Sequence, residues 1–113
     1  KLIADAKALE AAGAFAVVLE CVPAPLAAKV TEALSIPTIG IGAGPHCDGQ
    51  VLVSHDLVGL FGGHVAKFVR QYAQIGETMK AAFKAYKEDV ENSTFPAKEH
   101  CYTIKEDVLE KLY

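Results

Sequence analysis

Phe15-Ala-Val-Val-Leu19 is an unbroken apolar and β-branched run that lies between Gly13 and Pro23. A strand without polar alternation is typical of a parallel sheet whose two faces are both covered. Residues 25–34 then carry apolar side chains at helical spacing, and their leading proline is tolerated in the first turn of a helix. Thr38-Ile-Gly-Ile41 follows as a second short strand. Strand, helix and strand in this order predict a βαβ unit.

Further elements are predicted on both sides of this unit. Apolar residues at i, i+3 and i+4 spacing indicate an amphipathic helix over residues 1–12. Gln50-Val-Leu-Val-Ser54 is expected to form a third strand. The same helical spacing predicts helices over residues 64–74 and 77–90. Residues 91–113 are expected to be a polar tail that ends in a short helix.

Three buried parallel strands do not make a complete sheet, because their unpaired edges would promote aggregation. Strands alternating with helices, followed by further helices, favour a (β/α)8 barrel (a TIM barrel), with a doubly wound sheet as the alternative. The sequence begins at Lys1 inside what reads as the middle of a helix. We therefore expect residues 1–113 to be the carboxyl-terminal portion of a single barrel domain, with about its last three strands and its closing helices.

The composition restricts the classes of function. The chain has 113 residues, of which 51% are hydrophobic and 22% charged, and a net charge of −3. Such a length corresponds to one domain at most, and the acidic balance argues against a nucleic-acid-binding surface. The longest apolar run, residues 11–19, is far too short to span a membrane. The three scattered cysteines, Cys21, Cys47 and Cys101, fit reduced thiols in the cytoplasm better than disulfides or a zinc site.

Glu20 is the main candidate for catalysis. It ends the first predicted strand, and the carboxyl ends of parallel strands are where ligands and catalytic groups collect. Partial desolvation at such a position raises the pKa of a carboxyl group and makes the carboxylate a stronger base. The structural alternative is that Glu20 caps the following helix or pairs with a lysine or arginine.

The glycine-rich stretch Gly40-Ile-Gly-Ala-Gly44 lies at the end of the second predicted strand. It lacks the glycine spacing of a dinucleotide-binding loop and the lysine of a P-loop. Glycines there permit a tight turn or the close approach of backbone amides to an anion. We favour a turn with close approach of a substrate over a dinucleotide site.

Four polar residues near the second and third predicted strands are possible metal ligands or substrate contacts: His46, Asp48, His55 and Asp56. Their spacing is common by chance, and a metal site needs three or more convergent groups. His64 is expected to be a helix-capping or interface residue, and no cysteine is expected to be a nucleophile. An aromatic and apolar stripe is interpreted as core or subunit interface and not as a cofactor site: Phe68, Tyr72, Met79, Phe83 and Tyr86.

Four sequence blocks, in this order along the chain, carry a family resemblance: Val18-Leu-Glu-Cys-Val-Pro23, Ile36-Pro-Thr-Ile-Gly-Ile-Gly-Ala-Gly44, Cys47-Asp-Gly-Gln-Val-Leu-Val53 and Phe95-Pro-Ala-Lys-Glu-His100. Together they strongly resemble the carboxyl-terminal half of the ketopantoate hydroxymethyltransferase family. The resemblance covers residues 1 to about 102. Residues 103–113 are expected to extend past the usual end of the family, with no assigned role.

The resemblance implies a (β/α)8 barrel and a specific reaction. A one-carbon unit would pass from 5,10-methylenetetrahydrofolate to 3-methyl-2-oxobutanoate, which gives 2-dehydropantoate for pantothenate synthesis. By resemblance, Glu20 is the general base, and Mg²⁺ is held by carboxylates of earlier strands, so that no metal ligand is assigned in this chain. The resemblance also implies a cytoplasmic homo-oligomer, often a decamer, with keto acid and folate as its small-molecule partners and neither nucleic acid nor membrane.

Two alternatives remain open at this point. One is a Mg²⁺-dependent, enolate-forming lyase or mutase of the phosphoenolpyruvate mutase and isocitrate lyase kind, although the blocks around Glu20 and Gln50 argue against it. The other is a non-catalytic barrel fragment. The isolated 113-residue chain is expected to be inactive, also under the transferase interpretation.

Overall fold

The computed structural model describes residues 1–60 and 62–112. The chain divides into two compact units, Lys1–Ile75 and Gly76–Tyr113, which we describe separately. No helix within the described residues combines the length and the apolar character that a membrane crossing requires.

A parallel three-stranded sheet forms the centre of the first unit. Its strands are β1 (Val17–Glu20), β2 (Thr38–Ile41) and β3 (Gly49–Gln50), in the order β1-β2-β3. In the register, Val17 pairs with Thr38 and Glu20 pairs with Ile41. This arrangement confirms the α/β class, the parallel strands and the βαβ unit.

The third strand is shorter than predicted and begins one residue earlier. Pairing with β2 involves only Gly49 and Gln50, and the N–H of Val51 adds one last bond to the Gly40 carbonyl at 3.0 Å. Beyond Ile41 the backbone of the neighbouring strand turns away at Gly42, whose φ is +66°. Residues 51–53 therefore have no β2 backbone to pair with, and a short helix, α3 (Ser54–Leu57), begins where the strand was expected to end.

Two helices, α1 (Leu2–Ala11) and α2 (Ala24–Ala33), pack against one face of the sheet. The core that they share with the sheet consists of Ala6, Val17, Leu19, Ala27, Val30 and Ala43. Side chains alternate across a strand, so Val18 points to the opposite face, where it is 61% exposed. Within the described residues only one face is covered, because both helices lie on the same side; that the other face is covered in the whole protein stays a prediction.

The end of α1 is fixed by two kinds of hydrogen bond. Gly13, with φ +94°, donates its N–H to the Glu10 carbonyl, and the N–H of Ala14 bonds to the Leu9 carbonyl, which is the Schellman pattern. The Glu10 carboxylate accepts the hydroxyl and the N–H of Ser35 at 2.6 and 2.7 Å. These bonds hold the pKa of Glu10 below its usual value and join α1 to the loop before β2.

No helix forms over residues 64–74, so this prediction is wrong. The N–H of Tyr72 bonds to the Leu57 carbonyl at 2.8 Å, and the N–H of Ile75 bonds to the Val58 carbonyl at 3.0 Å. In a helix each of these N–H groups would bond to the carbonyl four residues earlier. Here both bond to residues much further back in the sequence. His64 is exposed in this irregular segment and does not cap a helix.

A 17-residue helix, α4 (Ile75–Glu91), contains the predicted residues 77–90 and dominates the second unit. Its polar face carries i,i+3 and i,i+4 ion pairs such as Lys80–Glu77. Its apolar side chains are exposed: Met79, Phe83, Tyr86 and Val90. The stripe is therefore not core within the described residues, since these side chains stay exposed.

Short helical segments joined by irregular backbone follow α4 in the described part of the second unit. Phe95 contacts the rings of Tyr86 and His100, with centroid distances of 5.6 and 4.9 Å. A 3₁₀ turn covers Lys98–His100, and α5 (Glu106–Leu109) runs into a second 3₁₀ turn, Glu110–Leu112.

Candidate active site at the carboxyl ends of the strands

Glu20 is the last residue of β1 and lies on the uncovered face of the sheet. It shares that face with Val18, while Val17 and Leu19 point into the core. Glu20 is exposed, because both helices of this unit cover the other face of the sheet. The described residues therefore do not desolvate its carboxylate as predicted. Its carboxylate has no hydrogen-bond or ion-pair partner in residues 1–60 and 62–112.

The structural alternatives for Glu20 are not observed. The residue at the N-cap of α2 is Pro23, and no side chain caps that helix. None of the ion pairs in the described part of the chain involves Glu20. The carboxylate is therefore available to a ligand.

Cys21 turns the chain away from the strand immediately after Glu20. Its φ is +54°, a left-handed conformation that costs a residue with a Cβ about 1–2 kcal/mol. Its N–H donates to the Ile41 carbonyl at 2.9 Å, which continues the β1–β2 pairing by one bond. This bond fixes the backbone directly behind the Glu20 carboxylate.

The glycine-rich stretch forms the predicted turn, and its missing side chains leave room for other parts of the chain. A Cβ at Gly42 would lie 2.8 Å from Cδ1 of Phe68, and one at Gly40 would lie 3.0 Å from Sγ of Cys47. A Cβ at Gly44 would collide with Ala24 at the start of α2. The close approach at these glycines is thus made by neighbouring residues of the protein itself.

A cleft of about 900 Å³ opens at the carboxyl end of the sheet. It lies between the loop that follows β1, the glycine-rich stretch, β3 and the irregular segment before α4. We call it the Phe68 cleft; its lining consists of residues 21–24, Gly42, Gly44, Pro45, Gln50, Lys67 and Phe68. Glu20 immediately precedes this lining, because Cys21 is part of it.

Asp48 lies at the opposite end of the sheet and has a structural role. Its Oδ2 accepts the backbone N–H of Thr38, the first residue of β2, at 2.8 Å and the Thr38 hydroxyl at 3.1 Å. These bonds, the backbone one first, lower the pKa of the Asp48 carboxyl. Thr38 is fully buried, and Asp48 provides the hydrogen-bond acceptor that its N–H and hydroxyl need there. The possible role of Asp48 as a substrate contact is not supported by this position.

The remaining polar candidates do not converge. His46 is exposed near Ala28, Thr31 and Glu32 in a separate hollow of about 450 Å³. His55 and Asp56 belong to α3. Within the described residues no three His, Cys, Asp or Glu side chains are close enough to bind one metal ion.

Comparison with known proteins identifies the family. Residues 1–98 match the sequence model of the ketopantoate hydroxymethyltransferase family. The chain belongs to this family.

Individual relatives match over the whole chain. A protein named 3-methyl-2-oxobutanoate hydroxymethyltransferase from Clostridium novyi (strain NT) is 61% identical over 113 residues, which are 100% of this chain and 41% of that relative. Proteins with the same name from Syntrophomonas wolfei and Halalkalibacterium halodurans are 58% and 55% identical over the full chain and 41% and 40% of their own lengths. The chain therefore spans about 41% of the relatives that it matches.

The alignment with these family members includes residues 103–113. The family model itself ends at residue 98, so the expectation that residues 103–113 extend past the usual end of the family stays a prediction.

Sequence reasoning missed the two residues of the irregular segment that line the cleft, Lys67 and Phe68. The helical spacing of the apolar residues predicts Phe68 as part of a helical stripe instead. The glycine pair Gly62-Gly63 just before the segment was a contrary signal, since glycine weakens a helix by roughly 1 kcal/mol per residue.

Proposed function

We propose that the protein to which this chain contributes transfers a hydroxymethyl group to 3-methyl-2-oxobutanoate and so forms 2-dehydropantoate. The observation that carries the proposal is the 61% identity, over all 113 residues, to a relative named for this activity. The resemblance of the sequence blocks suggests 5,10-methylenetetrahydrofolate as the donor and pantothenate synthesis as the pathway. The same family match favours this reaction over the lyase or mutase alternative.

The proposed reaction begins with removal of the proton at C3 of the keto acid, which gives an enolate. The enolate carbon bonds to the methylene carbon of the donor, both carbon–nitrogen bonds of that carbon break, and water supplies the hydroxyl oxygen. The C3 proton and one proton of the water balance the two N–H groups that form on the donor. Tetrahydrofolate leaves as the second product. The first step needs a base within hydrogen-bond reach of the C3 proton.

Glu20 is the residue that we assign as this base. Its carboxylate is unpaired among the described residues and lies at the carboxyl end of β1, next to the Phe68 cleft. The backbone behind it is fixed by the bond from Cys21 to Ile41. An oriented carboxylate without a competing cation can accept a proton from carbon.

Mg²⁺, which the family resemblance suggests, is not accommodated by the described residues. No three potential metal ligands among them cluster, and Asp48 is already committed to Thr38. We therefore derive no step through a metal from this chain. The proposal that carboxylates on other strands of the whole protein hold Mg²⁺ stands apart from the role of Glu20.

We further propose that the three strands are part of a (β/α)8 barrel. The uncovered face that carries Val18 and Glu20 would then face the barrel interior, and α1 and α2 would belong to its outer ring of helices. In such a barrel the active site lies at the carboxyl ends of the strands, where Glu20 and the Phe68 cleft are found.

The function is best tested in a chimera in which this chain replaces the matching 41% of the Clostridium novyi relative. We expect the chimera to form 2-dehydropantoate and to exchange the C3 proton of the keto acid for deuterium in D2O. Glu20→Gln should slow this exchange by about 10²- to 10⁴-fold, which is the usual contribution of a general base. Nuclear magnetic resonance of the substrate measures the exchange directly.

The matched control is Glu32→Gln, which alters an exposed carboxylate on α2 that is paired with Lys29 at 2.9 Å. It should leave the rate of C3 proton exchange within about twofold of that of the unmutated chimera, since surface ion pairs contribute little to stability. A chimera that never forms 2-dehydropantoate would contradict the proposed function. Exchange at the unmutated rate in Glu20→Gln would remove only the assignment of the base.

The 113-residue chain by itself is expected to catalyse neither exchange nor transfer. Its Glu20 is exposed to solvent, and the described residues hold no metal-ligand cluster. Production of 2-dehydropantoate by the purified chain would contradict this expectation.

We also propose that the whole protein is a cytoplasmic homo-oligomer. The free thiols of Cys21, Cys47 and Cys101 suit a reducing compartment. The exposed apolar face of α4 suits burial between subunits.

A further inference from the structure

The Phe68 cleft is much larger than the keto acid. Its volume of about 900 Å³ lies within the range of roughly 300–1,000 Å³ of sites that bind drug-sized ligands. A small branched keto acid would occupy only a fraction of it. If the proposed function holds, the cleft has room for the other, much larger substrate.

The walls of the cleft have a definite chemical character. Phe68 and the prolines Pro23 and Pro45 provide apolar surface, and Lys67 is the single charged residue among the described residues of the lining. Lys67 is exposed and forms no ion pair in the described part of the chain. A ligand with a flat ring system and an anionic tail would satisfy both features, because aromatic rings stack and a free ammonium group attracts a carboxylate.

Gly42 determines where the Phe68 ring lies. The ring is so close that a Cβ at Gly42 would be 2.8 Å from Cδ1 and 2.9 Å from Cγ. One side of Phe68 therefore rests on bare backbone, while 37% of the residue remains exposed. A partly exposed aromatic residue supported from behind can act as a stacking surface for a flat ligand ring.

The cleft adjoins the residue that we assign as the base. Cys21 lines it, and Cys21 directly follows Glu20, so their Cα atoms are about 3.8 Å apart. A ligand in the cleft would therefore lie next to the backbone that carries Glu20.

We propose that the Phe68 cleft binds the one-carbon donor, with Phe68 stacking on its fused ring system and Lys67 pairing with a carboxylate of its tail. This inference rests on the proposed function and deepens it, since it assigns the two substrates to different parts of the site. Phe68 and Lys67 become determinants of donor specificity, whereas Glu20 acts on the keto acid.

The test uses steady-state kinetics of the chimera with both substrates varied. Phe68→Leu keeps apolar volume but removes the aromatic face, and Lys67→Gln removes the charge. Each variant should raise KM for 5,10-methylenetetrahydrofolate by about tenfold and leave KM for 3-methyl-2-oxobutanoate within about twofold. Deuterium exchange at C3, which needs no donor, should remain at the unmutated rate.

Two control variants match these changes away from the cleft. Phe15→Leu alters an aromatic side chain that is 89% exposed before β1, and Lys98→Gln alters an exposed lysine of the second unit. Both should leave the two KM values unchanged. A Phe68→Leu protein that fails to fold would leave the decision to Lys67→Gln, whose side chain is exposed.

A binding experiment separates the roles of ring and tail without catalysis. Calorimetry should show that Lys67→Gln weakens binding of tetrahydrofolate about tenfold but does not change binding of tetrahydropteroate, which lacks the glutamate tail. Equal loss for both ligands, or no loss for either, would overturn the assignment of Lys67. Unchanged donor KM in both cleft variants of an active chimera would overturn the inference and leave the proposed function intact.

Discussion

At the scale of single residues, Asp48 and Glu20 lie at opposite ends of the parallel sheet and are engaged very differently. Asp48 accepts two hydrogen bonds from Thr38, where β2 begins, whereas the carboxylate of Glu20 is unpaired among the described residues, where β1 ends. A carboxylate that satisfies buried donors contributes to stability, and one that is exposed at the carboxyl end of a strand is available for chemistry.

Asp48 should make the stability of the protein sensitive to acid. Hydrogen bonds from Thr38 lower its pKa in the folded state below the unfolded value of about 3.9. The stabilisation is therefore complete above the unfolded pKa and is lost as the pH falls through the folded pKa. Asp48→Asn in the chimera should lower Tm at pH 7 and flatten the acid side of a Tm-against-pH curve.

Thr38→Val is the companion change, because it removes the hydroxyl and keeps the backbone N–H that Asp48 also accepts. In a double-mutant cycle the two substitutions should cost less together than the sum of their separate effects, since they share one interaction. Strict additivity would show that the contact contributes nothing to stability. Exchange at C3 should be unaffected, as Asp48 lies away from Glu20.

At the scale of elements, the irregular segment before α4 is held by backbone contacts and not by helix propensity. Gly59 is buried with φ +63°, and a Cβ there would collide with the carbonyl oxygen of Ala73. Two backbone hydrogen bonds, from Tyr72 to Leu57 and from Ile75 to Val58, join the same two stretches of chain. This packing places Lys67 and Phe68 beside the glycine-rich stretch.

Gly59→Ala and Gly13→Ala are a matched pair of substitutions. Together they separate the cost of a left-handed backbone at alanine from the cost of a steric clash of its Cβ. Both glycines have positive φ, but a Cβ at Gly13 would meet nothing within 4 Å. Gly13→Ala should therefore cost only about 1–2 kcal/mol, the penalty of the left-handed conformation. Gly59→Ala should cost about 1–3 kcal/mol more, because the backbone must also shift. Urea unfolding of the chimera compares them, and equal losses would contradict the contact at Ala73.

At the scale of the whole molecule, two surfaces are incomplete within the described residues. One is the uncovered face of the sheet, with Val18 and Glu20, which the barrel proposal would enclose. The other is the apolar face of α4, which carries Met79, Phe83 and Tyr86. Exposed apolar surfaces of this kind mark interaction sites in soluble proteins.

The oligomer proposal predicts that the α4 face is buried between subunits of the chimera. Phe83→Asp should reduce the molar mass found by light scattering, because a charge in an apolar interface is costly to desolvate. Lys80→Gln, on the polar face of the same helix, should leave the mass unchanged. A monomeric chimera, or an assembly indifferent to Phe83→Asp, would contradict the predicted interface.

The sequence by itself determined the βαβ unit, the helices at residues 1–12 and 77–90, the family, and Glu20 as the residue to examine. These features depend on local periodicity, on strand ends and on ordered motifs, all of which can be read along the chain. The extent of β3, the irregular course of residues 64–74 and the roles of Asp48, Lys67 and Phe68 were decided only by the tertiary structure. They depend on hydrogen bonds between backbone groups that are distant in sequence, such as the bond from the Tyr72 N–H to the Leu57 carbonyl. The spacing of apolar residues along the chain does not predict such bonds.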